Sequence, residues 1–119
     1  MSKRDYKLFL LDILESITRI EHYISDLKFE DFEKKTVVSD AVIRNLEIIG
    51  EAAKNIPSEI AEKYPQIPWK RIVGFRNIVI HAYFTVDLKT VWYIVKEQLP
   101  ELKILVEKIT GDDVQDEKI

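Results

Sequence analysis

Apolar residues near the start of the chain recur at alternating steps of three and four positions. An α-helix turns about 100° per residue, so side chains at these steps lie on one face of one helix. The stripe continues for about seven turns and predicts an amphipathic helix over residues 4–27. Its apolar face has to be buried against other elements, which favours a bundle of helices. The stripe consists of Tyr6, Phe9, Leu10, Ile13, Ile17, Ile20 and Ile24.

The same periodicity predicts a second helix that starts at Thr36 or Ser39 and ends near Asn55. Its apolar line contains one polar residue, Asn45, for which we favour a structural role. Asn45 would bond the helix expected over residues 69–82 or contact a second copy of the chain. Gly50 lies in the middle of this helix, where glycine costs about 1 kcal/mol relative to alanine. Gly50 therefore predicts the close approach of another backbone.

Prolines divide the middle of the chain. Residues 58–64, SEIAEKY, are predicted to form a short helix between Pro57 and Pro65. Pro68 suits the first turn of the following helix, which we expect over residues 69–82 because proline is tolerated at that position.

A last helix is predicted over residues 88–109, with Asp87 as its N-cap. Pro100 lies inside it and should kink or break the helix near Gln98, because proline cannot donate the helical hydrogen bond. Gly111 is expected to end the helix. No strand pattern or repeat is visible, so the sequence predicts an all-α bundle of four main helices plus a short one. Residues 1–110 should form one domain, and residues 111–119 a solvated tail.

Composition limits the classes of protein to which the chain can belong. Hydrophobic residues make up 46% and charged residues 33% of its 119 residues, as in soluble globular proteins. No apolar run approaches the roughly 20 residues that a membrane span needs, and the amino terminus lacks the features of a signal peptide. The absence of cysteine makes the cytoplasm the expected compartment. We expect no membrane association.

The ionisable residues argue against two kinds of site. Two histidines and no cysteine argue against a multi-histidine metal site within one chain, and we expect no metal and no cofactor. The net charge of −3 argues against a protein that coats nucleic acid non-specifically. It is compatible with a nuclease that has a small, focused cationic site.

Residues 76–83 read RNIVIHAY and place polar groups inside an apolar stretch. On an ideal helix Tyr83 lies about 20° from Arg76, whereas Asn77 and His81 lie about 100° and 140° away. Arginine presents a fork of donors that matches phosphate oxygens. Histidine exchanges protons near neutral pH. Asparagine can orient a hydroxyl group, and tyrosine can stack on a base or present its own hydroxyl.

These residues taken alone leave a structural alternative open. A histidine at a helix end often makes a structural hydrogen bond, and an arginine on a helix often pairs with an acid. Glu47 and Glu51 are candidate partners for Arg76, although Glu51 is also expected on a solvated face.

Gly74 lies beside His81 on the helix surface and leaves room for a bulky group. His22 is expected at the surface, and Trp69 and Trp92 in the core or an interface.

The spacing R-x4-H-x-Y resembles the signature of the HEPN superfamily, specifically that of the HepT-type toxins. These toxins are paired with minimal nucleotidyltransferase antitoxins called MntA. Three blocks carry the resemblance in order and spacing, and they extend it over essentially the whole chain. It implies an antiparallel helical bundle that forms a homodimer, with the R-x4-H helices of two copies facing a shared cleft. The blocks are DAVIRNLEIIGEAAKNIP (40–57), YPQIPWKRIVGFRNIVIHAYF (64–84) and VDLKTVW (86–92).

The resemblance also implies an activity, metal-independent cleavage of RNA by attack of a 2′-hydroxyl group. Arg76 and His81 match the invariant pair, and Asn77 matches the polar residue that commonly follows the arginine. Tyr83 matches the tyrosine to which the antitoxin transfers AMP. The implied partners are RNA, an MntA-type antitoxin and a second copy of the chain, but not DNA, which lacks the 2′-hydroxyl group.

Two other interpretations remain open at the level of sequence. In the first, the chain is a non-catalytic nucleotide-binding or substrate-presenting partner of a nucleotidyltransferase. In the second, it is a structural helical adaptor in which Arg76 and His81 are buried polar groups of an interface.

Overall fold

The computed structural model describes residues 5–81 and 87–117, and their side chains over 5–77 and 87–111. Within these ranges the chain forms helices and no strand, which confirms the predicted all-α fold. The elements are α1 (Tyr6–Ile24), α2 (Phe29–Lys34), α3 (Thr36–Lys54), α4 (Ser58–Lys63), α5 (Trp69–His81), α6 (Leu88–Tyr93), a π-helical turn (Ile94–Gln98) and α7 (Leu99–Glu117).

Helix α3 packs against both α1 and α5, and α1 also packs against α7. The predicted stripe of α1 faces this core, where its central residues are shielded from solvent. This burial removes the apolar face of α1 from water and is the main force that holds the bundle together. The fully buried residues of the stripe are Leu10, Ile13, Ile17 and Ile20.

Aromatic residues attach α2 to the core. Phe32 of α2 is fully buried, and its ring centroid lies 5.1 Å from that of Trp92 in α6. Phe29 meets the same indole edge-on at 6.2 Å. Trp92 therefore anchors the connector between α1 and α3 to the later part of the chain, in agreement with its predicted place in the core or an interface.

Trp69 fixes the start of α5 against the preceding segment. Its indole Nε1 donates hydrogen bonds to the backbone carbonyls of Ala61 and Tyr64, each at 3.1 Å. The side chain is half-buried and packs against the core. His22, by contrast, is exposed on α1, as predicted.

Short polar side chains cap two of the helices. Asp87 is the N-cap of α6, as predicted, and accepts hydrogen bonds from the Lys89 amide at 3.0 Å and the Thr90 hydroxyl at 2.9 Å. These bonds, that of Thr90 foremost, hold the pKa of Asp87 below its ordinary value because they favour the ionised carboxylate. Asp5 caps α1 in the same way through the Lys7 amide, so α1 begins at Tyr6.

Of the kink or break predicted near Gln98, the break is wrong, because the chain continues as a helix from α6 through the π-helical turn into α7. The Leu99 amide donates to the Ile94 carbonyl, five residues back, so the helix widens directly before Pro100. Such a turn adapts the hydrogen-bond pattern to a residue that has no amide hydrogen.

The predicted helix end at Gly111 is also wrong, since α7 continues to Glu117. Glycine disfavours a helix by only about 1 kcal/mol, and Gly111 does not adopt the positive φ that would end one. The side chains of residues 112–119 lie outside the described part of the chain, so their solvation stays a prediction. No helix within the described ranges is long and apolar enough to cross a membrane.

Candidate functional site

The site begins where α3 and α5 approach each other at Gly50. A Cβ atom at Gly50 would lie 2.9 Å from the Arg76 backbone nitrogen, 3.0 Å from the Arg76 Cβ and 3.2 Å from the Ile72 carbonyl oxygen. The predicted close backbone approach is therefore confirmed. The backbone that approaches is that of α5, the helix that carries the R-x4-H motif and is called the motif helix below. The absence of a side chain at Gly50 sets the position of Arg76 in the bundle.

The Arg76 side chain lies at the surface of the bundle. Its Nε atom is 3.2 Å from Oε2 of Glu51, and the two side chains are 33% and 51% exposed. Of the two acids that the sequence offered as partners, Arg76 pairs with Glu51, whereas Glu47 pairs with Arg44 at 3.4 Å. Pairs this exposed contribute about 0–1 kcal/mol to stability. The pair therefore matters more for the orientation of Arg76 than for the fold.

Arg76 lines an open cleft of about 370 Å³ between α1, α3 and α5. Two arginines and three carboxylates line the cleft, so it carries charges of both signs. An anion that enters has to be bound mainly by the arginines, because the carboxylates repel it. The lining residues are Phe9, Asp12, Arg44, Glu47, Ile48, Glu51, Ala52, Asn55 and Arg76.

Two of the lining residues come from α1, and the sequence indicated neither of them. Phe9 belongs to the apolar stripe of α1 and was assigned to the core, and Asp12 carried no signal. They reach the cleft because α1 packs against α3. The spacing of residues within one helix does not show which helix lies beside it.

Exposure changes from residue to residue along the described part of α5. Phe75 is buried, with 3% of its surface exposed, while the neighbouring Arg76 is half-buried and Asn77 is exposed. His81 is the last residue of α5, and its side chain lies outside the described part, as does Tyr83 altogether. The structure thus places Arg76 and Asn77 at the surface, and the roles of all four residues stay predictions.

Asn45 lies on the buried line of α3, as predicted, and is 5% exposed. Its Nδ2 atom donates to the Ala41 carbonyl at 2.9 Å, and its Oδ1 atom accepts no hydrogen bond from a described residue. An unpaired buried carbonyl oxygen costs about 1–3 kcal/mol. The described residues give Asn45 a bond within its own helix and none to α5.

Gly74 lies in open space. Apart from its chain neighbours and the backbone of its own helix, no atom of the described residues would come within 4 Å of a Cβ placed there. This agrees with the room that the sequence predicted beside His81. Among the described residues, no three histidine, cysteine, aspartate or glutamate side chains are grouped so that they could hold a metal ion.

The chain is a helical bundle in which an arginine of the motif helix lies at the edge of an open cleft. This arrangement defines a candidate anion-binding site. The chain belongs to the ribonuclease HepT-like family, whose sequence model matches residues 13–109. No solved structure matches the chain.

Relatives with ribonuclease names match nearly the whole chain. A protein of Methanocaldococcus jannaschii named "Putative RNase MJ1380" is 49% identical over 107 residues, which cover 90% of this chain and 98% of that protein. A second protein of that organism, "Putative RNase MJ0125", is 48% identical over 112 residues, or 94% of this chain and 97% of the relative. "Probable ribonuclease HepT" of Thermococcus cleftensis is 49% identical over 109 residues, or 90% of this chain and 97% of the relative.

Proposed function

We propose that the chain is a metal-independent endoribonuclease and the toxin of a toxin–antitoxin pair. The observation that carries the proposal is the surface position of the Arg76 guanidinium at an open cleft, five residues before His81 on the same helix. Family membership and the ribonuclease names of the relatives support the same activity. An RNA substrate and a nucleotide-using antitoxin would place this activity in the cytoplasm.

The proposed reaction is an intramolecular attack within RNA. The 2′-oxygen forms a bond to the adjacent phosphorus, and the bond from phosphorus to the 5′-oxygen of the next nucleotide breaks. His81 takes the proton from the 2′-hydroxyl group or gives a proton to the leaving 5′-oxygen. Arg76 stabilises the additional negative charge of the pentavalent phosphorane, and Asn77 orients the phosphate or His81. The products are a 2′,3′-cyclic phosphate and a 5′-hydroxyl group.

The proposed site is shared by two copies of the chain. Residues five positions apart lie about 140° from each other around an ideal helix, so Arg76 and His81 of one copy diverge. A homodimer in which the two motif helices face one cleft would bring Arg76 of one copy near His81 of the other. The open space at Gly74 leaves room on this helix for such an approach.

The reaction predicts cleavage of RNA in the presence of EDTA. DNA of the same sequence should not be cleaved, because it lacks the attacking 2′-hydroxyl group. Gel electrophoresis of a labelled oligoribonucleotide, with mass spectrometry of the products, tests this prediction. A single 2′-deoxy substitution at the cleaved position should block the cut. Cleavage that requires added Mg²⁺, or products with a 5′-phosphate, would contradict the mechanism.

The antitoxin is proposed to act on Tyr83 by transferring AMP from ATP to its hydroxyl group. Tyr83 and Arg76 are predicted to share a face of the helix, so the bulky, anionic adenylyl group would exclude RNA and could engage the arginine. Tyr83→Phe is therefore expected to stay active after incubation with the cognate nucleotidyltransferase and ATP, whereas the wild type is inactivated.

Tyr93→Phe is a suitable control, because Tyr93 is 57% exposed on α6 and offers the enzyme another accessible hydroxyl group. This variant should gain the mass of AMP and lose activity as the wild type does. Loss of modification in Tyr93→Phe, or modification of Tyr83→Phe, would refute the assignment.

Tight binding of the partner by a wild type that never cleaves RNA would favour the non-catalytic interpretation.

A further inference from the structure

We propose that Glu51 is a positioning residue that aims the Arg76 guanidinium at the phosphate to be cleaved. The inference rests on the proposed ribonuclease activity and adds a residue to its machinery. Glu51 does not touch the substrate in this proposal and acts only through Arg76.

Two consecutive residues of α3 fix Arg76 at two points. Gly50 admits the backbone and Cβ of Arg76 to a distance that any side chain would prevent. Glu51, the next residue, contacts the far end of the same side chain at Nε, 3.2 Å from its carboxylate. An arginine side chain is long and rotates about several bonds. The contact at Nε restricts that freedom before a substrate arrives.

The position of the contact on the guanidinium decides what is left for a substrate. Arginine has five N–H donors, one on Nε and four on the two terminal nitrogens. Glu51 contacts Nε, so among the described residues it leaves the donors on the far side of the fork to bind two phosphate oxygens together. A donor group oriented in advance stabilises the transition state without first having to reorganise.

The two carboxylates of α3 that line the cleft have different partners. Glu47 is paired with Arg44 at 3.4 Å, one turn earlier along α3, and Glu51 is paired with Arg76. Each acid therefore has its own arginine, and only the arginine paired with Glu51 belongs to the motif helix. This arrangement distinguishes Glu51 from a carboxylate that merely adds negative charge to the cleft.

The sign of the expected effect follows from two opposing consequences of Glu51→Gln. The substitution removes a negative charge that repels the substrate, so substrate affinity should stay the same or improve. It also weakens the ion pair that orients Arg76, so the chemical step should become slower. We expect kcat to fall about two- to fivefold, the factor that corresponds to the roughly 1 kcal/mol that so exposed a pair contributes, without a rise in KM.

The test compares three purified, full-length variants with the wild type in the RNA-cleavage assay. Glu51→Gln should show the fall in kcat, and Glu51→Asp, which keeps the charge, should recover part of it. Glu15→Gln is the matched control, because Glu15 forms an exposed carboxylate–arginine pair with Arg19 at 2.6 Å and does not line the cleft. Circular dichroism should show equal helix content and similar melting for all four proteins.

Three results would overturn the role of Glu51. They are an unchanged kcat in Glu51→Gln, a change confined to KM, and an equal loss in Glu15→Gln. The melting curves separate a positioning role from a structural one, because unfolding would lower the amount of active enzyme and leave KM as it was. Failure of Glu51→Asp to recover any activity would also count against the proposal.

A second readout does not depend on catalysis. The Nε–H group of Arg76 gives its own signal in a ¹H–¹⁵N spectrum, identified by its loss in Arg76→Lys. This signal should exchange slowly with water in the wild type and quickly in Glu51→Gln. If the wild type does not cleave RNA, the proposed function fails and Glu51 has no reaction to serve. If the wild type cleaves RNA, but Glu51→Gln has the same Nε–H exchange and the same kcat as the wild type, only the positioning role of Glu51 fails.

Discussion

Replacing His81 with alanine is expected to lower kcat for RNA cleavage about 10²- to 10⁴-fold, the range that a positioned general acid or base contributes. The proposed reaction moves a proton from the 2′-hydroxyl group and another to the 5′-oxygen, and histidine is the side chain suited to both transfers near neutral pH. His81 ends α5, five residues after Arg76, and no other histidine lies on that helix. Rates measured on a labelled oligoribonucleotide in EDTA provide the test.

The second histidine of the chain supplies the control. His22 is exposed on α1, so His22→Ala should cleave RNA at the wild-type rate. If His81→Ala is as active as the wild type, the proposed role of His81 is wrong. If His81→Ala unfolds, or if its dimer dissociates, the interpretation of the chain as a structural adaptor gains support. His81→Gln, which keeps a polar side chain of similar size, then decides between the two: a folded but inactive protein supports catalysis, and a folded, active one refutes it.

The rate of RNA cleavage should also depend on Arg76, which is proposed to stabilise charge and not to transfer a proton. Arg76→Ala removes the donors that stabilise the phosphorane, a loss that is typically about 10²- to 10³-fold in kcat. Arg76→Lys keeps the charge but not the planar fork, so it should recover only part of the activity. Because Arg76 is half-exposed and its ion pair adds little to stability, both variants should keep the helix content of the wild type.

The helices could be predicted because their signals are local. An apolar residue every third or fourth position places α1 and α3 in the chain, and Asp87 marks the start of α6 by its short polar side chain. The errors at Pro100 and Gly111 have a physical reason in common. Each residue disfavours a helix locally, but α7 continues through both, with a π-helical turn directly before Pro100. A local penalty does not predict a helix end when the neighbouring turns adapt.

The site was only partly predictable, because it depends on which helices are neighbours. The sequence indicated that another backbone approaches Gly50, and it offered two acids as partners of Arg76. It could not show that both features meet at the same arginine, since Gly50 and Arg76 lie 26 positions apart by their residue numbers. The contributions of Phe9 and Asp12 were missed for the same reason.

Gly50→Ala is expected to impair both stability and activity, although alanine is the better helix former. The new Cβ would lie 2.9–3.2 Å from backbone and Cβ atoms of α5, which cannot rotate away as the end of a side chain can. Overpacking of this kind typically costs about 1–3 kcal/mol, and the gain in helix propensity returns about 1 kcal/mol. We expect a net loss of up to about 2 kcal/mol in the free energy of unfolding, measured by urea denaturation.

Gly50→Ala should slow RNA cleavage by more than its loss of stability alone would explain. If α5 moves away from α3 by about 1 Å, Arg76 moves with it, and a displacement of this size can cost about 10²-fold in rate. Gly111→Ala is the matched control for stability, because it makes the same substitution inside α7, where no described atom outside its own helix backbone and chain neighbours would lie within 4 Å of the new Cβ. Gly111→Ala should stabilise the protein by up to about 1 kcal/mol. If the two substitutions change stability in the same direction, the packing of Gly50 against Arg76 does not hold the motif helix in place.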